Sequence, residues 1–282
     1  MPNVELSRFS RPSMWRKMAL VNWRHPADPQ VHARLEVEMT QALEYARQES
    51  PPAGVRVTPT HLVMRAVALA LKKYPEANAI VRWNRVYARK RVHIFCQVAI
   101  PGPKPDLSGV ILRDADSKTP VQLAQELQPK VRAARRGTDA ELARTQQMLD
   151  KVPYCINRLV LGLLDFFAYT LNWDLRFLGI PQDPFGGALV SDIGSLGMFE
   201  AFAPLSPITR TPIVVAVGKV EDKPVVRGQD VVIAPVCVLC VTFDHRIMDG
   251  LLAAKLAKFV SRYLADPAKF EQQEAEKQMN RL

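Results

Sequence analysis

The stretch that decides the fold is PVCVLCVTFDHRIMDG, Pro235 to Gly250. Pro235 to Phe243 is almost purely apolar, which predicts a central strand. The strand then runs into Asp244, His245, Arg246 and Asp249, and behind these LLAAKLAKFVSRYLADP carries helical spacing. Charge at the end of a buried strand must be partnered, because an isolated buried charge is costly. His245 beside two carboxylates has the composition of a poised base. A satisfied core histidine, with Asp249 as a helix N-cap, accounts for the same residues.

Working outward, HARLEVEMTQALEYARQES predicts a strand over Ala33–Glu38 and a helix over Thr40–Gln48, broken by the Pro51–Gly54 run PPAG. The next helix has Thr58 or Thr60 as cap, Pro59 early, and apolar residues nearly all round from Leu62 to Leu71, so it is expected to be buried on more than one side. RVHIFCQVAI and GVIL read as strands, and TPVQLAQELQPKVRAARRG as a helix capped by Thr119 and ending before Gly137. GGALVSDIGSLG is a strand with glycine punctuation. TPIVVAVGKVEDKPVV and QDVVIAPVCVLCVTFD predict two long strands joined by a turn. Strands and helices without strict alternation indicate α+β, a mixed sheet with helices on one face.

The chain has 282 residues, 48% hydrophobic and 23% charged, enough for one large domain or two small ones. The formal net charge of +10 suits nucleic acid, an anionic membrane or a phosphorylated ligand. Basic residues gather in Arg82–His93 and Lys130–Gly137, and no nucleic-acid-binding signature accompanies them. Cys237 and Cys240 form a CxxC, but positions three apart on a strand face opposite ways, so no metal site is expected. No secretory signal opens the chain, and a reducing cytoplasm is the expected compartment.

DHRIMDG resembles the HxxxDG signature of the acyltransferase subunits of 2-oxo-acid dehydrogenase complexes. Further matches follow in that family's order: THLVMRAVALALKKYPEAN, VAIPGPKPDLSGVILRDADSKTPVQLAQEL, LVSDIGSLGMFEAFAPL and VVAVGKVEDKPVV. The resemblance implies a chloramphenicol acetyltransferase-like two-layer fold, mixed sheet with helices on one face. It implies a coenzyme A-dependent acyltransferase that uses a dihydrolipoyl-type thiol or another acceptor. His245 matches the catalytic histidine and Ser191 the hydroxyl that supports the oxyanion, with Ser195 one turn further as the alternative register. Asp249 matches an aspartate that pairs with an N-terminal arginine, for which Arg16 is the candidate. A homotrimer with its site between subunits is the implied assembly. A noncatalytic paralogue kept for assembly or binding is the second reading.

The family's lipoyl and peripheral-subunit-binding domains have no counterpart here, so residues 1–282 are expected to be a single catalytic domain, with any lipoyl group supplied by a separate lipoylated or acyl-carrier protein. The polar tail, about 267–282, lacks the apolar plug that builds cages from trimers. An apolar insertion at about 152–185 reads as an extra helix packed on the domain or an enlarged subunit contact, with peripheral membrane contact or an acyl-binding wall as alternatives. A condensation-type domain is a weaker match, since Asp244 stands where such domains carry a second histidine.

Overall fold

The computed structural model describes residues 2–8, 29–100, 106–136 and 154–280. The first part contains β1 (Leu6–Arg8), β2 (Gln30–Glu38), α1 (Thr40–Ala53), α2 (Pro59–Lys73), β3 (Ala79–Arg82), β4 (Arg85–Arg89), β5 (Ile94–Ile100), β6 (Asp106–Leu112) and α3 (Pro120–Arg135). The second contains α4 (Tyr154–Asp165), β7 (Ala188–Asp192), β8 (Ile213–Val217), β9 (Glu221–Arg227), β10 (Asp230–Asp244), α5 (Gly250–Ala265) and α6 (Pro267–Met279).

The strand opening the sequence argument, β10, organises the main sheet. It pairs antiparallel with β2, β8 and β9. The strand order is β2-β10-β8-β7-β5-β6, with β9 added along β10. The β7 pairs with β5 and β8 are parallel, so the sheet is mixed. A smaller sheet has the order β1-β4-β3.

The TPIVVAVGKVEDKPVV run is two strands, not one. A Cβ on Gly218 would lie 2.1 Å from the Phe199 carbonyl oxygen and 2.8 Å from that of Val238, so the chain passes here only without a side chain. The break lets β8 pair with the distal half of β10 and β9 with its proximal half.

The helices cover one face. Cys237, Leu239 and Phe243 of β10, Val190 of β7 and Val215 of β8 pack with Leu62, Met64 and Leu71 of α2 and Tyr263 of α5 in the main core. Every residue of α2 from Thr60 to Leu71 is buried, because it lies on the sheet between α3 and α5. On the other face, Ala216, Val238 and Cys240 form a smaller cluster with Ile193. The two thiols of the CxxC thus sit on opposite faces.

Helix α1 continues through Pro51 and Pro52 to Ala53, past the predicted break. The prolines fall in its last turn, where Ser50 Oγ donates to the Ala46 carbonyl at 2.5 Å and accepts from Val57 N at 3.0 Å. Gly54, at φ 62°, then ends it. The polar tail is docked. Arg65 of α2, 1% exposed, grips Glu271 of α6 through Nε at 2.8 Å and Nη2 at 3.1 Å. Tyr263 Oη donates to the same carboxylate, and Arg65 Nη1 donates to the Asp116 carbonyl.

Residues 164–180 fold against the small sheet. Ala168, Tyr169 and Leu175 make a separate core with Val4 and Ile80. Arg210 pairs with Asp165 at 2.5–2.8 Å, and Arg82 donates to the Thr170 and Leu171 carbonyls. Val152 and Pro153 lie outside the described residues. No helix among the described residues is long and apolar enough to cross a membrane.

Candidate functional site

Two neighbouring segments hold the end of β10. Asp244 N donates to the Pro212 carbonyl at 2.9 Å and His245 N to that of Pro29 at 2.8 Å. The chain then turns on the Asp244 carbonyl, which accepts from Ile247 N and Met248 N. The buried Asp244 carboxylate accepts from Arg246 Nη2 at 2.7 Å, from Arg246 Nε at 3.0 Å and from its backbone N at 2.9 Å. The charge at the strand end is therefore largely self-compensated, by a bidentate pair within the turn.

That turn presents His245. Its Nδ1 lies 2.8 Å from the Met248 carbonyl oxygen. A carbonyl can only accept, so Nδ1 carries the hydrogen, and in the neutral ring Nε2 keeps its lone pair. The Phe243 ring stands edge-on to the imidazole, with centroids 6.4 Å apart. Asp249 is the N-cap of α5, its Oδ1 accepting from Leu252 N at 2.8 Å. Arg16 lies outside the described residues.

Ser191 is elsewhere on the sheet. It is level with Ala216 of β8, which is level with Cys240 of β10, five positions before His245. At about 3.3 Å per residue and about 4.8 Å per strand, that places the two backbones roughly 19 Å apart. One chain does not bring them together. Among the described residues the Ser191 hydroxyl has no hydrogen-bond partner. Ser195 is engaged: its Oγ donates to the Asp192 carbonyl at 2.9 Å and its N to Asp192 Oδ1 at 3.0 Å.

The basic clusters divide. Arg82 is committed to carbonyls, and Arg89, 3% exposed, to Asp183, Ala79 and Arg210. Arg85, Lys90 and Arg91 are exposed, as are Arg132, Arg135 and Arg136 beyond Lys130, while Gly137 lies outside the described residues. His93 is buried, and its Nδ1 accepts from Asp114 N at 3.0 Å. Burial holds its pKa below the usual histidine range. Sequence reasoning missed the Met248 carbonyl as the group orienting His245. A backbone acceptor has no residue-type signature, so no signal could have found it.

Residues 10–146 and 181–271 match the family model of the 2-oxoacid dehydrogenases acyltransferase (catalytic domain). The chain is 26% identical over 243 residues to the dihydrolipoyllysine-residue acetyltransferase component of the acetoin cleaving system of Bacillus subtilis (strain 168), covering 85% of this chain and 50% of that one. The fold is similar to that of a probable dihydrolipoamide acetyltransferase from Listeria monocytogenes 4b F2365, with a TM-score of 0.61 and 17% identity over 92% of this chain and 94% of that one. It is also similar to the cubic core of the pyruvate dehydrogenase multienzyme complex, with a TM-score of 0.64 and 20% identity over 92% and 93%. The chain spans about half the length of the curated relatives it matches first.

Proposed function

Because the chain belongs to the family of 2-oxoacid dehydrogenase acyltransferase catalytic domains, we propose that it moves an acyl group between coenzyme A and a thiol acceptor of the dihydrolipoyl kind, with His245 as general base. The observation that carries this is the 2.8 Å contact between His245 Nδ1 and the Met248 carbonyl, which leaves Nε2 as the basic atom.

A thiol of pKa about 8.5 is mostly protonated near neutrality, and the thiolate is the nucleophile. Nε2 takes the acceptor's proton as its sulfur attacks the thioester carbon, and the carbonyl electrons move onto oxygen. Collapse re-forms the carbonyl and breaks the bond to the sulfur of coenzyme A, which takes the proton back from His245. Help of this kind is worth about 10²–10⁴ in rate. The Ser191 hydroxyl donates to the oxyanion. Because Ser191 stands far from His245 within one chain, it comes from a neighbouring copy, and a homotrimer provides such a pairing in a closed ring. The exposed arginines and lysines attract the phosphates of coenzyme A at long range. Arg16 pairs with Asp249 and steadies the turn that aims His245.

An acyl-coenzyme A panel tests this, with free dihydrolipoamide and a lipoylated protein as alternative acceptors. Turnover that collapses in His245→Ala supports the reading. Absence of turnover with every thioester and both acceptors would establish the noncatalytic alternative.

A further inference from the structure

An apolar cleft enters the main core at the β2 side, where Ala33 and Arg34 of its lining are exposed. Between the helix-covered face of β2, β10 and β8 and the helices α2 and α5 lies a cavity of about 110 Å³. Its walls include Leu35, Val67, Val215, Val241, Leu256 and Val260. The space exists because alanines line it where larger residues would close it: Ala70 on α2, Ala253 and Ala257 on α5. An internal water needs two to four polar partners, and Arg34 is the one polar residue among the described residues of this lining. Such a cavity favours hydrocarbon over water.

Its position gives it a use. Phe243 and Met248 both line it. They are the residues that bracket His245, one through its ring and the other through its carbonyl. None of the described lining residues belongs to the stretch between the two family-matched segments. We propose that this cavity receives the hydrocarbon part of the transferred acyl group, and that it suits thioesters of four to five carbons. An apolar cavity of about 150 Å³ accommodates the six carbons of benzene. The space here scales to about four. An acetyl group leaves it empty, and a chain of eight carbons overfills it. The inference rests on the acyltransferase reading and names its substrate class.

The test is kcat/KM for acetyl-, butyryl-, isovaleryl- and octanoyl-coenzyme A, in the wild type, Ala257→Leu and Leu256→Ala, with calorimetric titration of the same thioesters. A methylene in an apolar pocket is worth about 10–200-fold. The wild type should prefer butyryl or isovaleryl over acetyl by at least about tenfold. Ala257→Leu fills the cavity, so it should abolish that preference. Leu256→Ala enlarges it and should move the optimum toward octanoyl. Equal effects of both variants on all four thioesters, or a wild type that favours acetyl, would overturn the inference. If no thioester turns over, the acyltransferase reading fails on its own. The titrations still decide the cavity: affinity that rises to four or five carbons and is flattened by Ala257→Leu supports it, and affinity indifferent to chain length refutes it.

Discussion

Ser191 stands level with Cys240, not with His245: the two groups assigned to one reaction lie two strands and five residues apart on one sheet. The separation predicts complementation. His245→Ala and Ser191→Ala should each be nearly inactive alone. Unfolded, mixed in equal amounts and refolded together, they should recover about a quarter of wild-type activity, since a site between subunits has even odds of an intact His245 and even odds of an intact Ser191. The measurement is turnover of the mixture against each parent treated alone. No recovery would mean that the two residues do not share a site.

His245→Ala should fold as the wild type does, because the ring is only partly buried and the turn is held mainly by backbone bonds to Asp244. Turnover should fall by about 10²–10⁴ with thioester affinity unchanged. A loss confined to the Michaelis constant would make His245 a binding residue.

Asp249 separates two roles. Asn also caps helices, so Asp249→Asn should cost only a few tenths of a kcal/mol, whereas Asp249→Ala should cost about 1 kcal/mol. If the carboxylate also pairs with Arg16, Asp249→Asn should lose turnover at nearly unchanged stability. Arg16→Ala should show the same loss, and the double variant no further loss. Thermal melts beside kcat distinguish the roles; full activity in Asp249→Asn would leave Asp249 as a cap alone.

What the sequence showed and hid follows from which forces act locally. The burial of β10 and the encircled α2 were legible, because continuous apolar runs have few other places to go. The break at Gly218 was not, since the apolar pattern runs up to it and only the Phe199 and Val238 carbonyls demand a glycine there. His245 and Asp249 could be named from their motif, but their distance from Ser191 depends on strand register, which no short motif encodes. Arg65 is a single basic residue in an otherwise apolar stretch of helix. Its partner Glu271 lies 206 residues away in the polar tail, and no local pattern links the two. The cavity is hidden for the opposite reason: Ala70, Ala253 and Ala257 look like ordinary helix formers.

The Arg65–Glu271 pair should be costly to break and cheap to replace. Glu271→Ala leaves a buried guanidinium without its carboxylate, so unfolding stability should drop by about 3–5 kcal/mol. Arg65→Met combined with Glu271→Leu should recover most of that loss, because well-packed apolar pairs often match a buried ion pair. Urea midpoints at constant slope measure both. A Glu271→Ala variant of wild-type stability would show that α6 is not anchored through this contact.

His61 should make the protein acid-sensitive before its carboxylates do. It sits buried in the first turn of α2, where Nδ1 accepts from Thr58 N at 3.0 Å. Burial alone lowers its pKa to about 4. The unfolded chain therefore binds a proton at His61, at pH values near 6.5, that the folded chain refuses. Its contribution is complete above that value and is lost as the pH falls toward 4, on the order of 3 kcal/mol in all. His93, depressed by burial, acts in the same direction. The lowered carboxylates Glu126 and Glu274 join only below their ordinary range. His61→Gln removes the titration while keeping the cap: the protein already uses that arrangement in α3, where Gln122 Oε1 accepts from Thr119 N at 2.9 Å. Melting temperatures from pH 7 down to pH 4.5 should decline more shallowly in His61→Gln than in the wild type. Parallel declines would assign the acid sensitivity to other groups.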